Sequence, residues 1–172
     1  MKVLFLDHDG VICLSDEWGG RFKKKGFDSN PETPLDIRMD NFNVKAVKVL
    51  NNIIDITGCE IVVSSDWKLQ GPLSQMIEMY ITRGIKPPID YTPNMKDFDE
   101  GGHHLLKTAN DYEGIRVNEI NEYLKNHPEV THWVAVDDMD LSALNNFVIT
   151  KRPHREGIKQ SGIKDKIIGF LS

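Results

Sequence analysis

Four groups of residues have the types and spacing to do chemistry together. Asp7 and Asp9 stand one residue apart and are followed by Gly10 and Val11. Two carboxylates so spaced leave a strand on the same side, within reach of one metal ion, and Gly10 lets the backbone turn sharply behind them. The same pattern also suits an acidic turn at a strand end. Ser64-Ser65, followed by Asp66, Trp67 and Lys68, offers hydroxyls that can donate to a phosphate oxygen or cap the next helix. Asp137-Asp138, with Asp140 close behind, sets acids side by side. They repel each other unless a cation is present, or else form a solvated acidic turn. Arg116 can neutralise a bound phosphate from a helix start at the same rim, or sit in solvent. Lys107 competes for that role from a polar loop.

These residues need elements to position them. An apolar run over residues 3–6, ending in acids and Gly, reads as a buried parallel strand. Residues 14–43 are rich in Gly, Pro, Asp, Asn and Lys without a sustained period, so they read as an irregular insertion. A helix is predicted over 44–56, with Val44, Val47, Leu50 and Ile54 as its apolar stripe and Gly58 just past its end. A second strand covers 60–64. Pro72 opens a helix with Met76, Ile77, Tyr80 and Ile81 on its apolar face, and Gly84 closes it. A short strand near 89–91 and a polar loop over 93–113 follow. The next helix spans 115–126, which puts Arg116 at its amino end and Val117, Ile120 and Leu124 on its apolar face. Strands over 133–136 and 147–150 and a helix over 164–171 complete the chain.

Strands alternating with helices predict an α/β fold, a parallel sheet covered on both faces. Ligands of such sheets sit beyond the carboxyl ends of the strands, where the acids and hydroxyls named above all fall.

The 172 residues suit a single domain with a modest insertion, long enough to bury roughly 70% of its unfolded surface. With 40% hydrophobic and 27% charged residues, the chain is expected to be globular rather than disordered. Cys13 and Cys59 form no CxxC pair, so two buried free thiols in a cytoplasmic protein are expected. No apolar run approaches the ~20 residues that span a bilayer. The opening residues lack a small-residue cleavage site and read as a strand rather than a leader. A net charge of -5 weighs against tight binding of nucleic acid in general, since phosphate contacts drive that affinity, while leaving local contacts open.

Taken together, the motifs resemble those of the haloacid dehalogenase (HAD) superfamily. Asp7, Asp9, Gly10 and Val11 match its DxDG(V/T) motif, and Ile61 to Ser64 match its apolar strand ending in a hydroxyl. Arg116 meets the need for a basic residue, and Asp137-Asp138 match the strand ending in paired acids. A narrower likeness, carried by Ser64-Ser65-Asp66-Trp67-Lys68, Thr92-Pro93, Arg116 through Leu124 and Trp133 through Asp138, is to the HAD domain of Swiss Army Knife RNA repair proteins. Lys68 stands where Arg is usual there, and Tyr123 where Trp is usual.

The resemblance implies a three-layer Rossmann-like parallel sheet with small irregular cap insertions. It implies a magnesium-dependent phosphatase with an aspartyl-phosphate intermediate. Asp7 would be the nucleophile and Asp9 the acid and base, with Ser64 and Arg116 holding the transferred group. Gly10, Ser65, Lys68 and Lys107 would line the phosphate or substrate. Mg2+ would lie between Asp7, Asp9 (through its backbone carbonyl), Asp137 and Asp138, with Asp138 the principal ligand of the pair. A dehalogenase needs no second acid at position 9, so Asp9 speaks for phosphate chemistry.

Insertions this small leave an open site, which admits a bulky phosphorylated end such as a nucleic-acid terminus. Arg21, Phe22 and Lys23-Lys24-Lys25 could guide a polyanion there or form a solvated charge run. Trp18 and Trp67 could stack on a base or pack in the core. His103-His104 could carry protons or have no role. A phosphatase of small metabolites or nucleotides, and a non-catalytic binding module, are the alternatives.

Overall fold

Residues 3 to 6 are apolar at every position, which only a strand covered on both faces can bury. In a computed structural model of the chain, describing residues 1–14, 30, 32–39, 41–97, 100, 105–106, 108–151 and 155–172, they lie in β1 (Lys2–Leu6). Around it stand β2 (Glu60–Val63), β3 (Asp90–Tyr91), β4 (His132–Asp137) and β5 (Phe147–Ile149). The order is β3-β2-β1-β4-β5, and every pairing is parallel. The helices are α1 (Leu35–Arg38), α2 (Val44–Thr57), α3 (Leu73–Thr82), α4 (Ala109–Asn126) and α5 (Ile163–Leu171).

Strand residues alternate between two cores, as the pleat requires. Val3, Phe5, Val62 and Ala135 pack beneath α4, against Ile120 and Tyr123. Leu4, Leu6, Ile61, Val63, Val134 and Val136 face the other way, against α2, α3 and α5. This is the three-layer α/β architecture expected of the sequence. Cys13 and Cys59 are both buried and do not form a disulfide. Among the described residues, no helix is long and apolar enough to cross a membrane.

The differences from sequence expectation are local. The stretch read as wholly irregular contains α1, too short at four residues to show a period. On α3, Met79 rather than Ile81 completes the buried face; Ile81 is 57% exposed. Val44 is 71% exposed, because the first residue of α2 lies beyond the edge of the core.

The largest shift concerns α4, which starts at Ala109 rather than 115. Thr108 and Asp111 form a reciprocal capping box there, which satisfies amide donors that a helix start leaves without partners. Arg116 therefore sits inside the helix, not at its amino end.

Candidate active site

Strand register alone lines up the first chemical groups. Leu6 lies level with Val63 on one side and Val136 on the other. The next residues along, Asp7, Ser64 and Asp137, therefore form a row at the carboxyl edge of the sheet. Backbone bonds hold that row: Asp7 N–H donates to Val136 O at 3.1 Å, and Ser64 N–H to Leu6 O at 2.9 Å. The connections leaving β1 and β4 run toward opposite edges of the sheet, so the crevice between these strands is a topological switch point, where such sheets bind ligands.

Asp7, Asp137 and Asp138 bring carboxylate oxygens within 4.8 Å of one another. Hard anionic oxygens gathered that closely fit a divalent cation. Their protonation shows what the crowding costs. Burial, opposed by Arg116 and reinforced by Asp138 and Asp9, pushes the Asp7 carboxyl up to about 7. Burial and the Asp7 charge likewise hold Asp137 well above the ordinary carboxylate range. A cation among them would relieve both.

The turn after β1 fits against this group. Gly10 has φ 75°, and a Cβ there would meet Asp138 Cβ at 2.8 Å. The glycine thus makes room for the Asp138 side chain. Buried Thr150 clasps the two motifs, its hydroxyl donating to Gly10 O at 3.0 Å, with Asp137 O at 3.4 Å. Trp67 donates through Nε1 to an Asp9 oxygen at 3.2 Å and stacks on Phe42, with centroids 5.7 Å apart. Buried Trp67 is a core residue that orients Asp9, and it presents no face to a base.

The two serines divide the roles left open by the sequence. Ser65 caps the turn at Asp66–Leu69 by accepting from Trp67 N–H, and its hydroxyl favours the ionised form of Asp7. Ser64 Oγ is buried and has no hydrogen-bond partner among the described residues. Buried hydroxyls almost always find one, so Ser64 is primed for an acceptor that a ligand would bring.

Arg116 reaches the row from α4. Its Nη1 donates to Asp137 at 2.9 Å, to Asp7 at 3.3 Å and to the Ser64 carbonyl, while Nη2 donates to Asp66 at 3.1 Å. Burial works against its charge, but Asp137, Asp7 and Asp66 outweigh burial and hold its pKa above the ordinary value. Expected at the rim of a helix start, it instead enters from the helix interior, with its guanidinium among the acids.

The sequence model of the HAD domain in Swiss Army Knife RNA repair proteins matches residues 3–160. The chain belongs to this family. Comparisons with curated proteins and with solved structures gave no match.

Lys68 of this HAD domain is not placed as its sequence position led one to expect. Its ammonium bonds Glu119 at 2.5 Å, Thr92 at 2.9 Å and Pro93 O at 3.1 Å. All three donors are used within the chain, so Lys68 stands here as a buried cation held by Glu119, Thr92 and Pro93. Glu119 also accepts from Met95 N–H at 3.1 Å. Lys107, His103-His104, Trp18, Arg21, Phe22 and Lys23-Lys24-Lys25 lie outside the described residues.

Four neighbours of the HAD site had no role assigned from sequence. Asp66 bridges Arg116 and Lys96, its oxygens 3.1 Å and 2.5 Å from them; its place inside the Ser-Ser-Asp-Trp run was the available signal. Glu119 stands one helical turn beyond Arg116, a spacing visible in the sequence. Lys96 had no signal, because its partner is far away in the chain. His8, between the two acids, is fully buried, bonds Tyr80 at 2.6 Å and is kept neutral by burial and the Arg116 charge, its pKa pushed down to about 3. It packs the turn as a neutral imidazole.

Proposed function

We propose that the chain is a magnesium-dependent phosphatase in which Asp7 accepts the phosphoryl group. The observation that carries this reading is the convergence of Asp7, Asp137 and Asp138 within 4.8 Å beside the Arg116 guanidinium and the partnerless Ser64 hydroxyl. The family supports phosphatase-type chemistry in an RNA repair setting.

Magnesium held by Asp7, Asp137, Asp138 and the Asp9 carbonyl would neutralise charge on the phosphoryl oxygens. The chain supplies the rest. An Asp7 oxygen attacks phosphorus as the bond to the leaving oxygen breaks, and Asp9 gives that oxygen its proton. The aspartyl-phosphate divides the reaction into two easier steps. Water then attacks phosphorus, Asp9 takes a proton from it, and inorganic phosphate leaves with Asp7 restored. Ser64 Oγ donates to an equatorial oxygen, and Arg116 exchanges part of its contact with Asp7 for the transferred group. Fixed donors of this kind supply most of the catalysis in phosphoryl transfer. Trp67 keeps Asp9 in place and Ser65 steadies Asp7.

The substrate class we favour is the phosphorylated end of RNA or DNA, in keeping with the family's setting. A small metabolite or nucleotide is the second reading, favoured by the acidic net charge of -5. A screen with and without magnesium, covering an aryl phosphate, a metabolite panel and 3'- and 5'-phosphorylated RNA and DNA, decides between them. Magnesium-dependent turnover is expected. Asp7→Asn should lower it by about a thousandfold or more with the fold intact. Comparable turnover by Asp7→Asn would remove Asp7 from the role.

A further inference from the structure

Lys68 and Lys96 are both buried lysines flanking the site, yet only one of them is satisfied. Lys68 has an acceptor for each of its protons. The Lys96 side chain is 2% exposed, and among the described residues its ammonium meets one anion, an Asp66 oxygen at 2.5 Å. It also lies over the Tyr112 ring, 5.3 Å from the centroid. Among the described residues no further acceptor takes its remaining protons. Burying an ammonium is costly unless its donors are matched.

The Asp66 side chain is 46% exposed, and its other oxygen accepts from Arg116 at 3.1 Å. The anion shared by Arg116 and Lys96 thus stands at the solvent side of both. A single phosphoryl group is already served by Arg116 and the Ser64 hydroxyl. The additional ammonium has no task in that step, although three ionic contacts, through Asp66 and Arg116, link it to Asp7.

We propose that Lys96 is a specificity-determining residue that binds a second phosphate of the substrate, the one adjoining the group that Asp7 attacks. Asp66 is the resident anion that this phosphate displaces. The substrate class is a nucleic-acid end carrying a terminal phosphate beside a phosphodiester. This inference rests on the phosphatase reading and deepens it.

Affinity in the Asp7→Asn background, where the probes survive, tests the idea apart from turnover. The probes are a nucleoside monophosphate, a nucleoside 3',5'-bisphosphate and a phosphorylated hexanucleotide. Lys96→Met keeps an apolar stem in the buried space. It should weaken the bisphosphate and the hexanucleotide by about tenfold relative to the monophosphate. It should also reduce the salt slope for the hexanucleotide by about 1. Lys96→Arg should restore most of the difference.

Asp66→Asn, which removes the competing anion, should tighten the hexanucleotide, and it decides the matter if Lys96→Met does not fold. Equal losses on all three probes, or weaker binding by Asp66→Asn, would overturn the proposal. A loss confined to the bisphosphate would overturn the nucleic-acid assignment. Failure of the native chain to turn over any phosphate ester would instead sink the phosphatase reading, and the affinities would still judge Lys96.

Discussion

One turn of α4 separates two buried charge clusters with opposite character. At Glu119 the charges balance: Lys68 gives its three protons to Glu119, Thr92 and Pro93 O, and Glu119 accepts from Met95 as well. At Arg116 one guanidinium faces Asp7, Asp137 and Asp66, two of these acids hold raised pKa values, and Ser64 Oγ has no partner among the described residues. A satisfied cluster fixes the fold. A cluster of crowded acids with an idle donor is the one to which the proposed function assigns the ligand, because strongly perturbed buried groups concentrate at functional sites. The same helix serves both purposes.

Substitutions at the two positions should therefore fail in different ways. Arg116→Ala should lower turnover by about two to three orders of magnitude while the protein stays folded. Lys107→Ala should be mild by comparison. Steady-state kinetics on an aryl phosphate would show this, and the reverse ranking would give the phosphate-binding role to Lys107.

Lys68→Ala should instead act on stability, by about 3–5 kcal/mol, because it strands a buried Glu119 carboxylate. Replacing both partners with apolar residues, Lys68→Met with Glu119→Leu, should recover much of that loss in denaturant unfolding. Full stability in the single variant would erase the contrast between the clusters.

The contrast also has a pH signature. The folded-state pKa of Asp7 is raised from 3.8 to about 7, so folding favours its protonated form. That contribution is fully present below about pH 4 and is lost as pH rises toward 7, with Asp137 acting in the same direction. In chelator, stability should slope downward across this window, by at most about 1.4 kcal/mol per pH unit for one such group. Magnesium or Asp7→Asn should flatten the slope. A slope unchanged by either would place the strain elsewhere.

Much of this arrangement was legible in the sequence, for identifiable reasons. The central strands are short apolar runs that stop at acids or serines, so their carboxyl ends, and with them Asp7, Ser64 and Asp137, could be located before the sheet was seen. The start of α4 was not, because residues 109–114 are mostly polar and show no apolar period; the Thr108 and Asp111 capping pair marked it instead. That is why Arg116 was expected at a helix tip. Lys68 and Lys96 differ only in what surrounds them, Thr92 and Glu119 in one case and Asp66 and Tyr112 in the other. No local pattern records such long-range partners, so the sequence could not tell the fully bonded lysine from the other.

The claim that Asp7 takes the phosphoryl group is tested most directly by acid quench of the protein during turnover of a phosphate ester with magnesium. Mass spectrometry of the digest should find a hydroxylamine-sensitive phosphoryl group on the peptide that contains Asp7, and none in Asp7→Asn. A quenched protein free of phosphate on that peptide while turnover proceeds, or one phosphorylated at another residue, would contradict the account.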